Sequence, residues 1–450
     1  MIGRLQQYIS GFRGFERDAR VFLVTTLLSS GAISLFWINF NLYLAALGLD
    51  RSTIGLIATT GALSSALAAL PASVLADRLG RRLAMMLGAS LSAMALAGLL
   101  VASETYFLFL LAVAYGAGQQ TLFVVAVPFM AERSRREQRS ELFALQFAIT
   151  NGTQVVAALA GGALAAAVAA ATGHGAGSPE AYRVLLGLML VLMLAALASL
   201  FQLSDDRPRG RPWSDGSAGA GAPASRGASA VRRLDRLGIR IRNRRLVFKL
   251  LLPGFLIALG AGQVIPFLNL YIQGRFQLEL SEVNAVFAVT AFGTMLAILL
   301  QPALAKRYGK IGSVVIVQAA SLPFLIVLGF APLVWLVIIA MAVRNSLMNA
   351  GNPILNAFVM EQVQPAERAT IAAAMSLLWS LGWVIAGLYY SVVQGVLGFE
   401  GGYTVNFVTI IALYSLATAL YWLWFRHTER DRSPAGTERA AGDLGSVRGE

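Results

Sequence analysis

The chain has no cysteine among its 450 residues and only two histidines, His174 and His427. Disulfides and thiolate-bound metals are thereby excluded, and a histidine metal centre has no materials, since the two imidazoles lie far apart in sequence at the edges of apolar runs. Charge is scarce as well. Asp, Glu, Lys and Arg make up 13% of the residues against 57% hydrophobic ones, a balance that a water-soluble surface does not sustain. Strict apolar/polar alternation is missing, which argues against a transmembrane barrel. Between the ends of the apolar runs there is no Asp or Glu, so paired intramembrane acids are unavailable, and no nucleophile has an evident base. The chain is therefore not read as an enzyme, and no catalytic residue, cofactor or metal site is expected.

What is present is a series of apolar runs of about 20 residues, the length that crosses a bilayer core as a helix. Twelve are counted, at 21–47, 53–76, 83–103, 105–130, 141–171, 182–203, 246–273, 282–305, 311–331, 333–360, 368–397 and 403–426. The fold class expected is all-α and integral to the membrane. The net charge of +13 is topological rather than a nucleic-acid signature. Of the 36 Lys and Arg residues, all but Arg51, Arg183, Arg275 and Arg344 fall on one side if the N-terminus is cytoplasmic. By the positive-inside rule both termini are expected in the cytoplasm of a cell (plasma or inner) membrane. The N-terminal stretch "RLQQYISGFRGFERDAR" lacks the short apolar core of a removable signal peptide, so the first span is expected to stay.

The Gly-, Ala-, Ser- and Pro-rich stretch 205–232 splits the spans six and six and reads as a cytoplasmic linker. Leu234, Leu237 and Ile241 follow at helical spacing among arginines, as in a helix lying on an anionic leaflet or a solvated basic flank. The domains expected are 1–204 and 246–427, each a six-helix bundle, with a linker at 205–245 and a disordered cytoplasmic tail at 428–450. Sliding the halves by 229 residues exposes an internal repeat: "ADRLGR" at 76–81 falls on "AKRYGK" at 305–310, Glu132 falls on Glu361, and Arg139 on Arg368. Two like halves that start on the same side are related by an axis along the membrane normal.

The loop after the second span reads Ser73-Val74-Leu75-Ala76-Asp77-Arg78-Leu79-Gly80-Arg81-Arg82. With the repeat and the span count, it resembles the G-x-L-a-D-r-x-G-r-r loop of the major facilitator superfamily, with Ser at the first position. Gly80 lets the chain reverse and the arginines hold the turn in the cytoplasm. Asp77 ends its helix, where the macrodipole disfavours an anion. The resemblance implies a partner for Asp77 near Arg368 in the other half, plus an arginine after the fourth helix, Arg133, Arg135 or Arg136. Such a cluster, drawn from Asp77, Arg78, Arg81, Arg82, Glu132, Arg139, Glu361 and Arg368, would gate the cytoplasmic side. The alternative is that the loop only sets topology. Lys306 replaces the acid in the second copy, so only the first is expected to lock.

One cation lies inside a span. Arg344, about twelve residues into the tenth, is near mid-membrane, where a charge is a functional hypothesis by default. Its repeat counterpart is Tyr115. Asn345, Asn349, Asn352 and Asn356 share a stripe with spacings of four, three and four; the first two are assigned to a wet cavity, the last two to a neighbouring helix. Further polar candidates are Asn39 and Asn41, Gln119 and Gln120, Asn151 and Gln154, and Gln263 and Asn269. The resemblance favours those on the first, fourth, seventh and tenth helices, which enclose the pathway in that superfamily. Trp379 and Trp383 share a face that suits an apolar ligand or ordinary packing. Proton-coupled exporters of the superfamily carry an arginine in the fourth helix and G-P-x-x-G-G in the fifth; this chain has Tyr115 and Ala157-Ala158-Leu159-Ala160-Gly161-Gly162. Together with the carboxylate-free spans, this argues against proton antiport.

The expectation is a monomeric secondary transporter with two pseudo-symmetric six-helix bundles, working by alternating access on a small organic solute, anionic or amphipathic. Arg344 would be the anion hook or an internal counter-charge. Its partners would be that small-molecule substrate and the lipid bilayer, with no nucleic acid. The alternatives are efflux of lipophilic compounds or a non-transporting membrane receptor or scaffold.

Overall fold

In the computed structural model, residues 15–134, 138–173, 178–204, 243–364 and 367–426 are described, and among them every regular element is helical. The linker, the basic stretch after it, the tail, His174, His427, Arg135 and Arg136 lie outside these residues. So do the side chains of Arg139 and Lys306.

The helices are α1 (Arg17–Ala46), α2 (Arg51–Leu79), α3 (Arg81–Val101), α4 (Thr105–Glu132), α5 (Arg139–Thr172), α6 (Pro179–Leu200), α7 (Arg244–Phe276), α8 (Leu280–Tyr308), α9 (Lys310–Phe330), α10 (Val334–Gln362) and α11 (Arg368–Phe425). Among the described residues ten helices are long and apolar enough to cross a membrane. The last two sequence spans form one 58-residue element with a non-helical break at Gly398 (φ 67°, ψ −161°), and the described apolar part of α8 is the shorter Leu280–Leu296. In α7 a 3-10 turn at Ile265–Phe267 interrupts the helix.

Boundaries follow local chemistry. Gly80 (φ 92°) and Gly309 (φ 72°), repeat counterparts, reverse the chain in a backbone region that a Cβ disfavours. Asp50 caps α2 by accepting from the Thr53 N–H (3.1 Å) and hydroxyl (2.6 Å), and that hydroxyl bond holds the Asp50 carboxyl below the usual carboxylate range. Ser178 caps α6, with Pro179 at its first position.

The chain divides into two compact units. Unit 1 is Met1–Ile239 with Pro266–Ala288 and Gly387–Gly395, and unit 2 is Arg240–Ile265, Val289–Ala386 and Val396–Glu450. Unit 1 thus includes two short segments from the second half of the chain. Within unit 1, α2 and α3 pack on α4, and α5 and α6 on α1. Small residues set the approach of α4: a Cβ at Gly116 would lie 2.4 Å from the Gly61 carbonyl oxygen, and one at Gly118 would lie 2.7 Å from that of Gly88. Ser65 locks the first contact by donating to the Gly116 carbonyl (2.9 Å). Within unit 2, α9 packs on α10.

The repeat is visible in the contacts. Arg81 pairs with Glu132 in unit 1, and Lys310 pairs with Glu361 in unit 2, each residue displaced by the same 229 positions. The Ser65–Gly116 contact of α2 and α4 has its counterpart in Asn345 of α10, which donates to the hydroxyl of Thr294 on α8 (2.8 Å).

Candidate substrate site and gate residues

Arg344 on α10 is 4% exposed. Its Nη2 donates to the Tyr414 hydroxyl at 2.8 Å, and the guanidinium carbon lies 5.4 Å from the centre of that ring. Nε is buried with no hydrogen-bond partner, and among the described residues no carboxylate pairs with Arg344. Tyr414 is positioned by α7, where Gly260 leaves room for its ring; a Cβ there would sit 2.9 Å from it. A neutral phenol can orient a guanidinium without cancelling its charge, so this group remains a net cation inside a span. Tyr414 carried no sequence signal that set it apart from the other aromatics.

Close to these elements, Gln263 of α7 is 3% exposed; its Nε2 donates to the Leu259 carbonyl (3.0 Å) while Oε1 has no partner. Gly262 lets α7 approach Trp383 to within 3.0 Å of a built Cβ. Trp383 and Trp379 lie with ring centres 6.2 Å apart, and Trp379 is 42% exposed. The Asn stripe falls into two pairs. Asn345 and Asn349 are half-buried and bonded, Asn345 to Thr294 and Asn349 to the Asn345 carbonyl (2.9 Å) and side-chain oxygen (3.3 Å). Asn352 and Asn356 are exposed and make no hydrogen bond among the described residues. Asn345 thus ties α10 to α8 through Thr294, and Asn349 bonds Asn345 within α10.

In unit 1 the counterpart of Arg344 is Tyr115, 6% exposed, with its hydroxyl unpartnered and its ring stacked on Phe36 at 3.8 Å. One turn on, both polar atoms of the Gln119 amide are buried without a partner. Leaving such groups unsatisfied costs about 1–3 kcal/mol each. Gln120 beside it is half-buried. On α5, Asn151 bonds its own helix at the Phe147 carbonyl (2.8 Å), and Gln154 is exposed.

Asn39, Asn41 and Asn269 join segments rather than standing free. Asn39 Nδ2 donates to Asn284 Oδ1 (3.3 Å) and Asn284 Nδ2 returns a bond to Asn39 Oδ1 (2.9 Å). Asn41 donates to the Pro266 carbonyl and Asn269 to the Ile38 carbonyl, both at 2.7 Å. Ser391 donates to the Ser52 carbonyl (2.7 Å), Phe267 stacks on Tyr390 at 3.7 Å, and Gly161 and Gly162 allow α5 to meet Asn284 and Ser281. All of these lie in unit 1 at the end of the helices away from the basic loops. The degraded motif on α5 thus keeps the close approach that its two glycines allow.

At the basic end, Asp77 and Arg368 are exposed, and neither has an ion-pair partner among the described residues. Arg133, one of three arginines offered as a partner for Asp77, holds Asp18 at the start of α1 (3.1 Å); Arg135 and Arg136, the other two, lie outside the described residues. Asp18 is 6% exposed and also accepts from the Ser204 N–H (3.3 Å) and hydroxyl (3.1 Å). The more deeply buried carboxylate has the greater need of the cation, which explains the choice. Arg82 donates to the Leu200 (3.3 Å) and Phe201 (2.8 Å) carbonyls and so caps the end of α6. Arg78 is exposed. Among the described residues, the expected gate set therefore supplies one ion pair of its own, Arg81–Glu132, the acid of a second, Glu361 with Lys310, and a C-cap.

A search of curated proteins finds no significant match. Among solved structures, the chain is similar to a mutant of the nucleoside transporter NupG (TM-score 0.70, 14% identity, 89% of this chain and 99% of that one). It is also similar to a bacterial homologue of the human lysosomal transporter Spinster in an inward-facing, occupied conformation (0.68, 17%, 92% and 98%). A third is a D-xylose-proton symporter (0.67, 13%, 90% and 96%). At these identities the likeness speaks to fold. The sequence matches the family profile described as Major Facilitator Superfamily over residues 22–387, and the chain belongs to that superfamily.

Proposed function

We propose that this protein is a secondary transporter that moves a small organic solute bearing a negative group, by alternating access between two six-helix bundles. The observation that carries the reading is Arg344: a buried cation in mid-span, oriented by a neutral tyrosine and left with an unpartnered Nε. An anionic group would complete its hydrogen bonding and offset its charge. The concentration of arginine and lysine in these loops supports a cytoplasmic position for the Arg81 end and both termini, in a cell membrane. The uncharged joins of unit 1 would then lie at the external end, and the exposed Asp77 and Arg368 at the cytoplasmic end.

The test is thermal stabilisation of the purified protein by benzoate, citrate, glycerol 3-phosphate and deoxycholate, compared with Arg344→Gln. At least one of these anions should stabilise the parent and lose about tenfold or more in affinity on the variant, the scale of a hydrogen bond to a charged group. Equal stabilisation of both proteins would remove Arg344 from the site. The partly exposed Trp379 beside Trp383 favours a second reading, export of lipophilic compounds. Stabilisation by the lipophilic cation tetraphenylphosphonium, with no response to any anion, would select it.

A further inference from the structure

We propose that the Tyr115–Gln119 stripe of α4 is a second recognition subsite, which takes a flat uncharged ring carrying an N–H donor beside a C=O acceptor, the edge of a lactam or cyclic imide. The proposal rests on the reading of the chain as a solute carrier, but not on Arg344.

Three side-chain atoms lead to it: the Tyr115 hydroxyl and both polar atoms of the Gln119 amide, all buried and all without a partner. Amides that hold helices together in this protein find their partners, as Asn39 does with Asn284 and Asn345 with Thr294. Buried phenols do as well: Tyr43 donates to the Leu99 carbonyl at 2.8 Å. Gln394 and Asn406 share with Gln119 the lack of any partner for either amide atom, but among the described residues only Gln119 has an unpartnered tyrosine hydroxyl one turn away. It is also fixed in orientation. Gly116 and Gly118 press two other faces of α4 against α2 and α3, and the Ser65 bond to the Gly116 carbonyl leaves the helix little freedom to roll. Donors and acceptors set on a clamped helix are preorganised for a ligand.

The surroundings select the ligand's chemistry. From Tyr106 to Met130 the helix carries no charged residue, so an ionic group gains nothing there. A carboxamide offers a donor and an acceptor in one plane, which a lactam or imide edge matches with two parallel hydrogen bonds, and the Tyr115 hydroxyl supplies a third. Phe36 stacks on Tyr115 at 3.8 Å and on Phe40 at 4.3 Å, forming an aromatic wall suited to a flat ring. A polyol would leave hydroxyls unsatisfied against that wall. The repeat gives a further reason: Tyr115 and Gln119 stand where the second half has Arg344 and Met348. Corresponding faces of the two halves thus carry different recognition groups, neutral in the first and cationic in the second.

The probe is uracil, titrated into the full-length protein in lipid nanodiscs, with 1,3-dimethyluracil and D-xylose as comparisons. Uracil should bind, and removing its N–H donors by methylation should weaken binding about tenfold or more. Gln119→Met, which copies Met348 of the other half, should weaken uracil by about tenfold, and Tyr115→Phe by roughly threefold. Arg344→Gln should leave uracil binding within about twofold, so this proposal and the anion reading fail separately. Absence of uracil binding to the parent protein overturns the proposal. So does equal binding of 1,3-dimethyluracil or D-xylose, or a Gln119→Met protein that is more heat-stable with uracil affinity unchanged, which would mark a structural amide.

Discussion

The amide pair at the far end of unit 1 makes a quantitative prediction. Asn39 and Asn284 exchange two hydrogen bonds, and each also donates to the carbonyl one turn back in its own helix, Leu35 (2.8 Å) and Leu280 (2.9 Å). Asn39→Ala removes both inter-segment bonds and leaves Asn284, 0% exposed, with only its own helix to bond. When the segments separate, water satisfies Asn284 in either protein, so the loss falls on the joined state alone. At about 1–3 kcal/mol for a buried amide deprived of its partner, the joined state is disfavoured by roughly 5- to 150-fold. The chain's lack of cysteine gives a clean readout. A Cβ built at Gly395 lies 3.4 Å from that of Ser52, near the separation that a disulfide bridges. In a Ser52→Cys, Gly395→Cys background, oxidative cross-linking should be fast and should arrest transport until reductant is added. Adding Asn39→Ala should slow the cross-linking in proportion to the fall in the joined population, by the full factor where that state is the minor one, whereas Asn151→Ala, which loses only a bond within its own helix, should not. Equal rates with and without Asn39→Ala would refute the idea that these amides hold the end together.

Other expectations follow from named contacts. Asp18→Asn breaks a pair that is 7% exposed on the acid side and should lower stability by about 3 kcal/mol; a double-mutant cycle with Arg133→Met, read by thermal unfolding, should show the two residues coupled. Gly118→Ala drives a methyl toward the Gly88 carbonyl and Ser92 and should cost about 1–3 kcal/mol, while Gly152→Ala, with nothing within 4 Å, should stabilise by about 0.4–1 kcal/mol. Asp50→Ala should cost about 1 kcal/mol through loss of the α2 cap. Since the Asp50 carboxyl is depressed in the folded protein, that contribution is present above its unfolded pKa and is lost as pH falls through the folded one; the difference between Asp50→Ala and parent in a pH series of melting temperatures should narrow in acid.

The helices, the basic end and the duplication were legible because they are written locally, in apolar run length, in the placement of arginine, and in charged loops where chance matches are rare. Gly80 is an example: its position between two apolar runs marks a reversal, and its φ of 92° is the backbone form of that mark. Partnerships between segments were not legible. Asn39 stands out in an apolar helix, but nothing nearby in sequence points to Asn284, 245 residues away. Arg133 offered a choice of carboxylates, and the outcome depended on burial: Asp18 is enclosed and takes the cation, while Asp77 is exposed. Tyr414 and the unpartnered Tyr115 hydroxyl are indistinguishable by sequence from the tyrosines that merely pack.

The duplication also separates two kinds of polar residue. Where both halves keep a feature at equivalent positions, as in Arg81–Glu132 and Lys310–Glu361, the simplest cause is the shared bundle architecture, since each pair ties neighbouring helices at the basic end of its own unit. Where the halves differ at equivalent buried positions, architecture does not require the residue, and its cost needs another justification. Tyr115 against Arg344 and Gln119 against Met348 are such positions. Both Tyr115 and Arg344 keep an unpartnered polar atom inside a span, at a penalty that packing alone would remove by substituting an apolar side chain. The asymmetric pairs therefore fit the substrate contacts proposed for α4 and α10, and the symmetric pairs fit a structural role at the basic loops.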